Sequence, residues 1–168
     1  MILKYIKNHC PSDHDPTVED SYKVMIETEE NEKEEFEILD TAGEEDYQNM
    51  LDNWIKKANG FLLIFAINDS ESFDAIKLKI KRIEKNEAFD LPIILVGNKC
   101  DLEDKRTVSV QQATELAKSI NGIYYETSAL NDFNGNVKTV FTECAKKILT
   151  KDKRERKKNV FVSLFKDW

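Results

Sequence analysis

The sequence predicts an α/β fold with a mostly parallel sheet and helices on both faces. Two short apolar runs, GFLLIFAI at 60–67 and LPIILVG at 91–97, are rich in β-branched and aromatic residues and have polar borders. Such runs are typical of strands buried on both faces of a parallel sheet. Between them, residues 70–87 repeat apolar side chains at helical spacing, with Ser70 or Ser72 as the predicted N-cap. Alternating strand and helix indicates βα units.

The segment before residue 60 has a different pattern. Residues 22–28 and 35–39 resemble two strands on either side of an acidic turn, EENEK, which predicts an antiparallel hairpin. Residues 1–8 are predicted to be helical. This part of the chain therefore adds a hairpin to the parallel sheet.

After residue 97 the alternation of helix and strand continues. Ser109 is predicted to begin a helix that ends at Asn121 and Gly122. Residues 122–126 then predict a short strand, and apolar positions within 137–148 predict a last helix. Domain boundaries follow from this pattern: a globular domain over residues 1–150 and a basic and apolar tail over residues 151–168.

Composition and charge exclude several classes of protein. The 168 residues carry a net charge of −7, and the first 145 hold 16 basic against 29 acidic residues. An acidic body argues against a nucleic-acid-binding domain. The longest apolar run is too short for a transmembrane helix, no secretory signal is visible, and three widely spaced cysteines fit a reducing compartment. The prediction is a cytoplasmic domain.

The tetrapeptide Asn98-Lys99-Cys100-Asp101 follows a predicted buried strand, where open α/β sheets bind ligands. An asparagine amide can donate to a purine N7, and an aspartate can accept from both N1–H and the 2-amino group of guanine. The lysine stem can lie along the ring. The alternative is an ordinary polar loop, but the position directly after LPIILVG favours a base site.

Two further motifs stand at strand ends. Asp40-Thr41-Ala42-Gly43 ends the predicted hairpin, where a carboxylate can hold a water of a Mg²⁺ shell and a glycine lets an N–H approach a phosphate. An ordinary strand-ending turn is the alternative. Thr127-Ser128-Ala129 follows the strand at 122–126 and can offer N–H groups to a carbonyl oxygen. Neither motif is specific by itself.

The order of these motifs along the chain resembles the small GTPases, and the stretch DPTVEDSY at 15–22 resembles the Ras subfamily. The resemblance extends from residue 1 to about residue 149 and implies the P-loop NTPase type of α/β fold. It also implies a guanine-nucleotide switch that binds GTP or GDP with Mg²⁺. The segment from Asp15 to Tyr22 would contact effector proteins, and GAP-type and GEF-type proteins would regulate the switch.

The resemblance assigns a role to each motif residue. Thr17 would bind Mg²⁺ directly, Asp40 would hold it through water, and Gly43 would contact the γ-phosphate. Guanine would be bound by a second group of residues, with the last three around its O6 and one face: Asn98, Lys99, Asp101, Ser128, Ala129 and Leu130.

The chain departs from the family most clearly at the phosphate loop. No G-x-x-x-x-G-K-[ST] sequence occurs in the 168 residues, and Met1 aligns within the family's first helix. The expectation is therefore an N-terminally truncated sequence whose first, central strand is missing. Two buried strand edges would then lack partners, at about 1–3 kcal/mol per unsatisfied group. Such a chain would fold poorly unless another segment filled the gap.

Single-residue departures weaken the predicted site further. Glu44 stands in the catalytic position, where the family has the glutamine that orients the attacking water, and a carboxylate there would repel the γ-phosphate. Leu130 replaces a lysine that covers one face of the base, and Cys10 replaces an aromatic ring near the base edge. GTP hydrolysis is expected to be absent or very slow.

The tail admits three interpretations. Lys146 to Lys158 holds eight basic and two acidic residues, and apolar NVFVSLF follows at 159–165, with no prenylation motif. This combination suits a peripheral anchor on an anionic membrane such as the inner face of the plasma membrane. An extended helix with a solvated tail is weighed equally. Pairing of NVFVSLF into the vacant sheet position is the least favoured of the three.

Two functional hypotheses follow, beside a third interpretation as an interaction or fragment product with no stable fold. The first is a Ras-type switch with slow GTP hydrolysis. The second is a pseudo-GTPase that binds partner proteins through its hairpin and turns over no nucleotide. The effector, the regulators and the pathway cannot be predicted from the sequence.

Overall fold

A computed structural model describes residues 1–7, 19–27, 33–41, 48–131, 136–151 and 159–164. Helices and strands alternate as predicted from residue 60 onward. The elements are α1 (Ile2–Lys7), β1 (Glu19–Glu27), β2 (Lys33–Thr41), α2 (Gln48–Lys57), β3 (Gly60–Ala66), α3 (Ser70–Lys85), β4 (Ile93–Asn98), a 3₁₀ turn (Cys100–Lys105), α4 (Val110–Ser119), β5 (Ile123–Glu126), α5 (Asn136–Lys151) and β6 (Asn159–Leu164). Helix α2 and the 3₁₀ turn are the described elements before residue 159 that the sequence pattern did not predict.

The described strands form one sheet in the order β1-β2-β6-β3-β4-β5. The predicted hairpin is confirmed, since β1 and β2 pair antiparallel from Glu19 opposite Thr41 to Glu27 opposite Lys33. All other neighbours pair parallel. The α/β fold class is therefore confirmed, with parallel strands making up most of the sheet.

Strand β6 corrects the interpretation of the apolar tail. Its register with β2 runs from Phe36 opposite Asn159 to Thr41 opposite Leu164, and Gly60 of β3 lies opposite Phe161. Pairing into the central position was the least favoured interpretation, yet residues 159–164 take it. The physical reason is that two adjacent strand edges need partners, and a β-branched segment of this same chain can supply them. The domain boundary at residue 150 stays a prediction.

Two layers of apolar side chains cover the faces of the sheet. One layer, under α1 and α5, includes Phe36, Ile38 and Phe141, whereas the opposite layer, under α2, α3 and α4, includes Phe65 and Ile76. Every residue of β3 and β4 is buried. Burial on both faces explains why these strands are continuous apolar runs. No helix in the described ranges is long and apolar enough to cross a membrane.

Helix caps fix the loops that follow the central strands. The N-cap of α3 is Asp69, whose carboxylate accepts from the N–H groups of Glu71 and Ser72, so the prediction of Ser70 or Ser72 was wrong. The Ser72 hydroxyl instead accepts from the N–H of Ala66 at 3.0 Å. At α4 the predicted cap is confirmed, because Ser109 forms a capping box with Gln112.

Gly97 in β4 gives a prediction about stability. A Cβ atom there would lie 2.5 Å from Tyr124 Oη, which is itself held by Glu126 at 2.6 Å, and 3.0 Å from Ile67 Cγ2. Gly97→Ala should therefore lower the free energy of unfolding by about 1–3 kcal/mol, measured by urea denaturation. In the control Gly60→Ala, the new methyl meets mainly the flexible Ile148 side chain. An equal or larger loss there would contradict this assignment of strain.

Candidate functional site

Five of the six strands bring their carboxyl ends to one edge of the sheet, because β2, β6, β3, β4 and β5 are mutually parallel. This edge is where open α/β sheets place ligands. Asn98 ends β4, Thr127 follows β5, and Asp40 is the penultimate residue of β2. The described motif residues are therefore gathered at one edge of the described sheet.

Asn98 is the central side chain of this edge and is only 4% exposed. Its Oδ1 accepts from the N–H of Ala129 at 3.2 Å and lies 3.3 Å from the Thr127 hydroxyl. These contacts orient the amide so that Nδ2 is left as a donor, and no described residue accepts from it. An oriented donor of this kind suits a purine N7.

Asp101 and Ser128 join the two loops on the other side of the site. The Ser128 hydroxyl donates to Asp101 Oδ1 and accepts from the N–H of Asn131. The Cys100 N–H donates to the carbonyl of Thr127 at 3.1 Å, which binds the loops through the backbone as well. The exposed Asp101 keeps its second oxygen as an acceptor for a ligand. The Ala129 N–H, in contrast, is already engaged by Asn98.

Lys99 lies between Asn98 and Asp101 in the chain and has a left-handed backbone conformation, with φ of 63°. Partial burial lowers the pKa of its ammonium, while the nearby carboxylates of Asp69 and Asp101 act in the opposite direction. The Lys99 side chain is thus partly buried beside the site. Next to Asp69 in the chain, the buried Asn68 Oδ1 has no hydrogen-bond partner among the described residues. Sequence reasoning missed this unpaired acceptor.

The phosphate and metal side is described only at Asp40. This residue is partly buried and lies opposite Asp20 in β1 and Ser163 in β6. Thr17, Gly43, Glu44 and Cys10 lie outside the described residues. Within the described ranges no cluster of three or more metal-ligating side chains occurs. The roles assigned to these residues stay predictions.

A charged network under the base site was not predicted. The guanidinium of Arg106 donates to both oxygens of Glu103 and to both oxygens of Glu126, and the Tyr124 hydroxyl donates to Glu126 at 2.6 Å. These carboxylates raise the pKa of Arg106. Arg106 directly follows the 3₁₀ turn after β4, and Glu126 directly precedes Thr127 at the end of β5. The network therefore holds the end of the loop after β4 against the start of the loop after β5. The spacing of Glu103 and Arg106 was the only visible sequence signal.

Leu130 is a large apolar side chain beside the site and is 69% exposed. A base stacked on it would remove apolar surface from water. For a purine nucleotide bound at this edge, Leu130→Ala should therefore weaken binding about fivefold, the equivalent of about 1 kcal/mol of lost burial. Isothermal titration with GDP measures the change. Leu78→Ala is the control, since Leu78 is 61% exposed on α3, and an equal change in both variants would contradict the contact.

The two described cysteines should differ in reactivity. Cys144 is fully buried against the sheet, and burial raises the pKa of its thiol. Burial, followed by the charges of Glu126 and Asp101, also raises the pKa of the partly exposed Cys100 thiol. Near neutral pH, iodoacetamide should label Cys100 slowly and Cys144 only in denaturant, as read by peptide mass mapping. Rapid labelling of Cys144 in the folded protein would contradict this packing.

Comparison with known proteins gives an independent result. A family model described as "Ras family" matches residues 1–150. The chain is also similar to "Protein ras-1" of Neurospora crassa, with 39% identity over 157 residues. That alignment covers 92% of this chain and 71% of the length of the relative.

Proposed function

Since the chain belongs to the Ras family, we propose that it is a guanine-nucleotide-binding switch of the small-GTPase type. The observation that carries the proposal is the base half of the site. Asn98 is oriented to donate through Nδ2, and Asp101 presents a carboxylate oxygen on the adjacent loop. This donor and acceptor pair matches N7 and the N1–H and 2-amino groups of guanine, whereas adenine lacks the second pair of donors.

Four further residues surround the proposed position of the base. The partly buried side chain of Lys99 can cover one face of the ring, and exposed Leu130 can cover the other. Ser128 positions Asp101 through its hydroxyl. The Ala129 N–H can reach guanine O6 only by sharing its hydrogen with Asn98 Oδ1, so we expect a weaker contact there.

On the phosphate side, we propose that Thr17 and Asp40 hold Mg²⁺, directly and through water, and that the Gly43 N–H contacts the γ-phosphate of GTP. Mg²⁺ in such a site neutralises charge on the β- and γ-phosphates. Ordering of these segments by the γ-phosphate would be the switch. Glu44 in the water-orienting position makes hydrolysis absent or very slow.

A comparison of ligands tests the proposal on the 168-residue chain. Isothermal titration with GDP, ADP and guanosine should give selective binding of the two guanine compounds. The ratio of the GDP and guanosine affinities measures the phosphate contribution separately from the base contribution. Equal binding of GDP and ADP, or no binding of either, would overturn the proposal.

A partner-binding module without nucleotide turnover is the second candidate. It is favoured by the central position of β6, because in the family the strand in that position leads into the phosphate loop. The hairpin would then be the surface that binds the partner protein. Strand β1 is an edge strand of the described sheet, so a strand of the partner can pair with it, and its Met25 is 58% exposed. Absence of bound nucleotide, together with retained fold by circular dichroism, would select this candidate.

The proposed partners and location involve the two opposite edges of the sheet. We propose that effectors bind the segment from Asp15 to Tyr22 and that GAP-type and GEF-type regulators act at the nucleotide edge. The basic segment 146–158 begins in α5, whose Ile148 lies against Gly60 at the opposite, amino edge. A cytoplasmic protein could therefore dock on anionic lipid through this segment without covering the nucleotide edge. Sedimentation with phosphatidylserine vesicles at low and high salt tests this docking.

A further inference from the structure

The hairpin and the base-binding half are separate parts of the described sheet. Strands β2 and β3 do not pair with each other, because β6 lies between them and pairs with both. Asp40 belongs to the hairpin side, whereas Asn98 and Asp101 belong to the side of β3, β4 and β5. Through the backbone hydrogen bonds of the sheet, the two halves are therefore connected only by β6.

The strand can reach this position within one chain. Ile148 of α5 lies against Gly60, and Gly60 lies opposite Phe161 in the register of β3 and β6. The helix thus ends near the edge where β6 begins. Residues 152–158 have to connect the two, and seven residues can span at most about 23–25 Å. An in-chain origin of β6 is consistent with that reach.

The pairing of β6 is incomplete on one side. It matches six residues of β2 but only four of β3, from Gly60 to Leu63. Beyond that point the Ala66 N–H is bonded to the Ser72 hydroxyl rather than to a strand. Terminal segments with few pairings are the first elements of a fold to open. Opening at the β6–β3 boundary would separate the hairpin from the base half.

We propose that the gap between β2 and β3 is a strand-binding site, that residues 159–164 of the same chain are its occupant, and that this occupant docks reversibly. Docking joins the hairpin to the base-binding half, so a ligand that spans both halves and the docked strand stabilise each other. The docking of the strand does not depend on nucleotide binding, whereas its coupling to a ligand rests on the proposed function.

Hydrogen–deuterium exchange on the full chain tests the proposal, with Val162→Pro as the variant and Asp167→Pro as the matched control. Proline removes a donor from a central strand, so exchange should rise at least tenfold over 159–164, 34–41 and 60–63. Cys144, which packs with side chains of β2 and β3, should become open to iodoacetamide. The control should behave as the wild type. Exchange at the unfolded rate over 159–164 in the wild type would overturn the proposal.

A second measurement tests the proposal if the Val162→Pro variant does not fold. The Val162→Pro chain is refolded with a synthetic peptide of residues 159–168 or with the same peptide carrying proline at 162. Recovery of soluble protein and a one-to-one complex in native mass spectrometry with the first peptide only would support the site. Equal results with both peptides would overturn it. A wild-type chain that is protected only as a dimer would assign the strand to a second copy and overturn the in-chain occupant.

Discussion

Asp101→Asn should weaken GDP binding by about 10- to 100-fold, because a bidentate contact to a base is worth about 1–3 kcal/mol. The Asp101 carboxylate is exposed at this edge of the described site, and its second oxygen is free to accept from the N1–H and 2-amino groups of guanine. An amide in its place keeps one acceptor and presents N–H donors to the 2-amino group. The substitution should therefore weaken the contacts to the base and leave the contacts to the phosphates unchanged.

The same substitution should reverse the preference between two purines. Xanthine has an oxygen where guanine has its 2-amino group, and an asparagine N–H can donate to that oxygen. The variant should therefore bind xanthosine diphosphate better than GDP, while the wild type does the opposite. The amide oxygen of the new side chain would still accept the bond from the Ser128 hydroxyl, so the loops should keep their positions.

Asp104→Asn is the matched control, because Asp104 is exposed in the same 3₁₀ turn and makes the same change in charge. Titration of both variants with the two diphosphates measures the effect. An equal loss in both variants would assign it to net charge. Unchanged GDP affinity in Asp101→Asn would remove Asp101 from the base site.

Much of the fold could be predicted because its signals are local. Strands β3 and β4 are continuous apolar runs, and α4 begins with a capping pair three residues apart. Helix α2 carries a local signal too, because Met50, Leu51, Trp54 and Ile55 recur at helical spacing in its segment, QNMLDNWIKK, but this amphipathic pattern was overlooked. Trp54 and Ile55 are buried against the sheet. For so short a helix, most of the stability comes from packing of this apolar face.

The order of strands in the sheet is not a local property. Residues 159–164 are β-branched and apolar, which predicts a strand, but they follow a basic segment that also suits a membrane surface. The residues that pair with β6 lie 101 residues earlier in β3 and 123 residues earlier in β2. Whether the segment pairs into the sheet or lies on a membrane depends on the edges of β2 and β3 that would otherwise be unpaired. Nothing in the sequence of the tail itself indicates those edges. The same limit applies to Arg106, whose partner Glu126 is 20 residues away.

Arg106→Ala should lower the free energy of unfolding by about 2–3 kcal/mol. The Arg106 side chain is only 14% exposed, and hydrogen bonds between charged groups contribute about 1.5–3 kcal/mol. Its removal leaves the Glu126 carboxylate with the Tyr124 hydroxyl as its remaining partner in this network. Arg106→Lys should recover less than half of the loss, since an ammonium cannot bind two carboxylates through a planar fork. Urea denaturation measures both variants, and Lys105→Ala at the exposed neighbouring position is the control.

The pH dependence of this loss separates charge from packing. The hydrogen bond from Arg106 lowers the pKa of Glu103, so the stability from that pair is present above the carboxyl's unfolded pKa. It is lost as the pH falls through the lower, folded pKa. The difference between wild type and Arg106→Ala should therefore shrink toward acidic pH. A difference that stays constant across the carboxyl range would mean that Arg106 acts through packing of its stem, and the loops that carry Asp101 and Ser128 would then be held by their own hydrogen bonds.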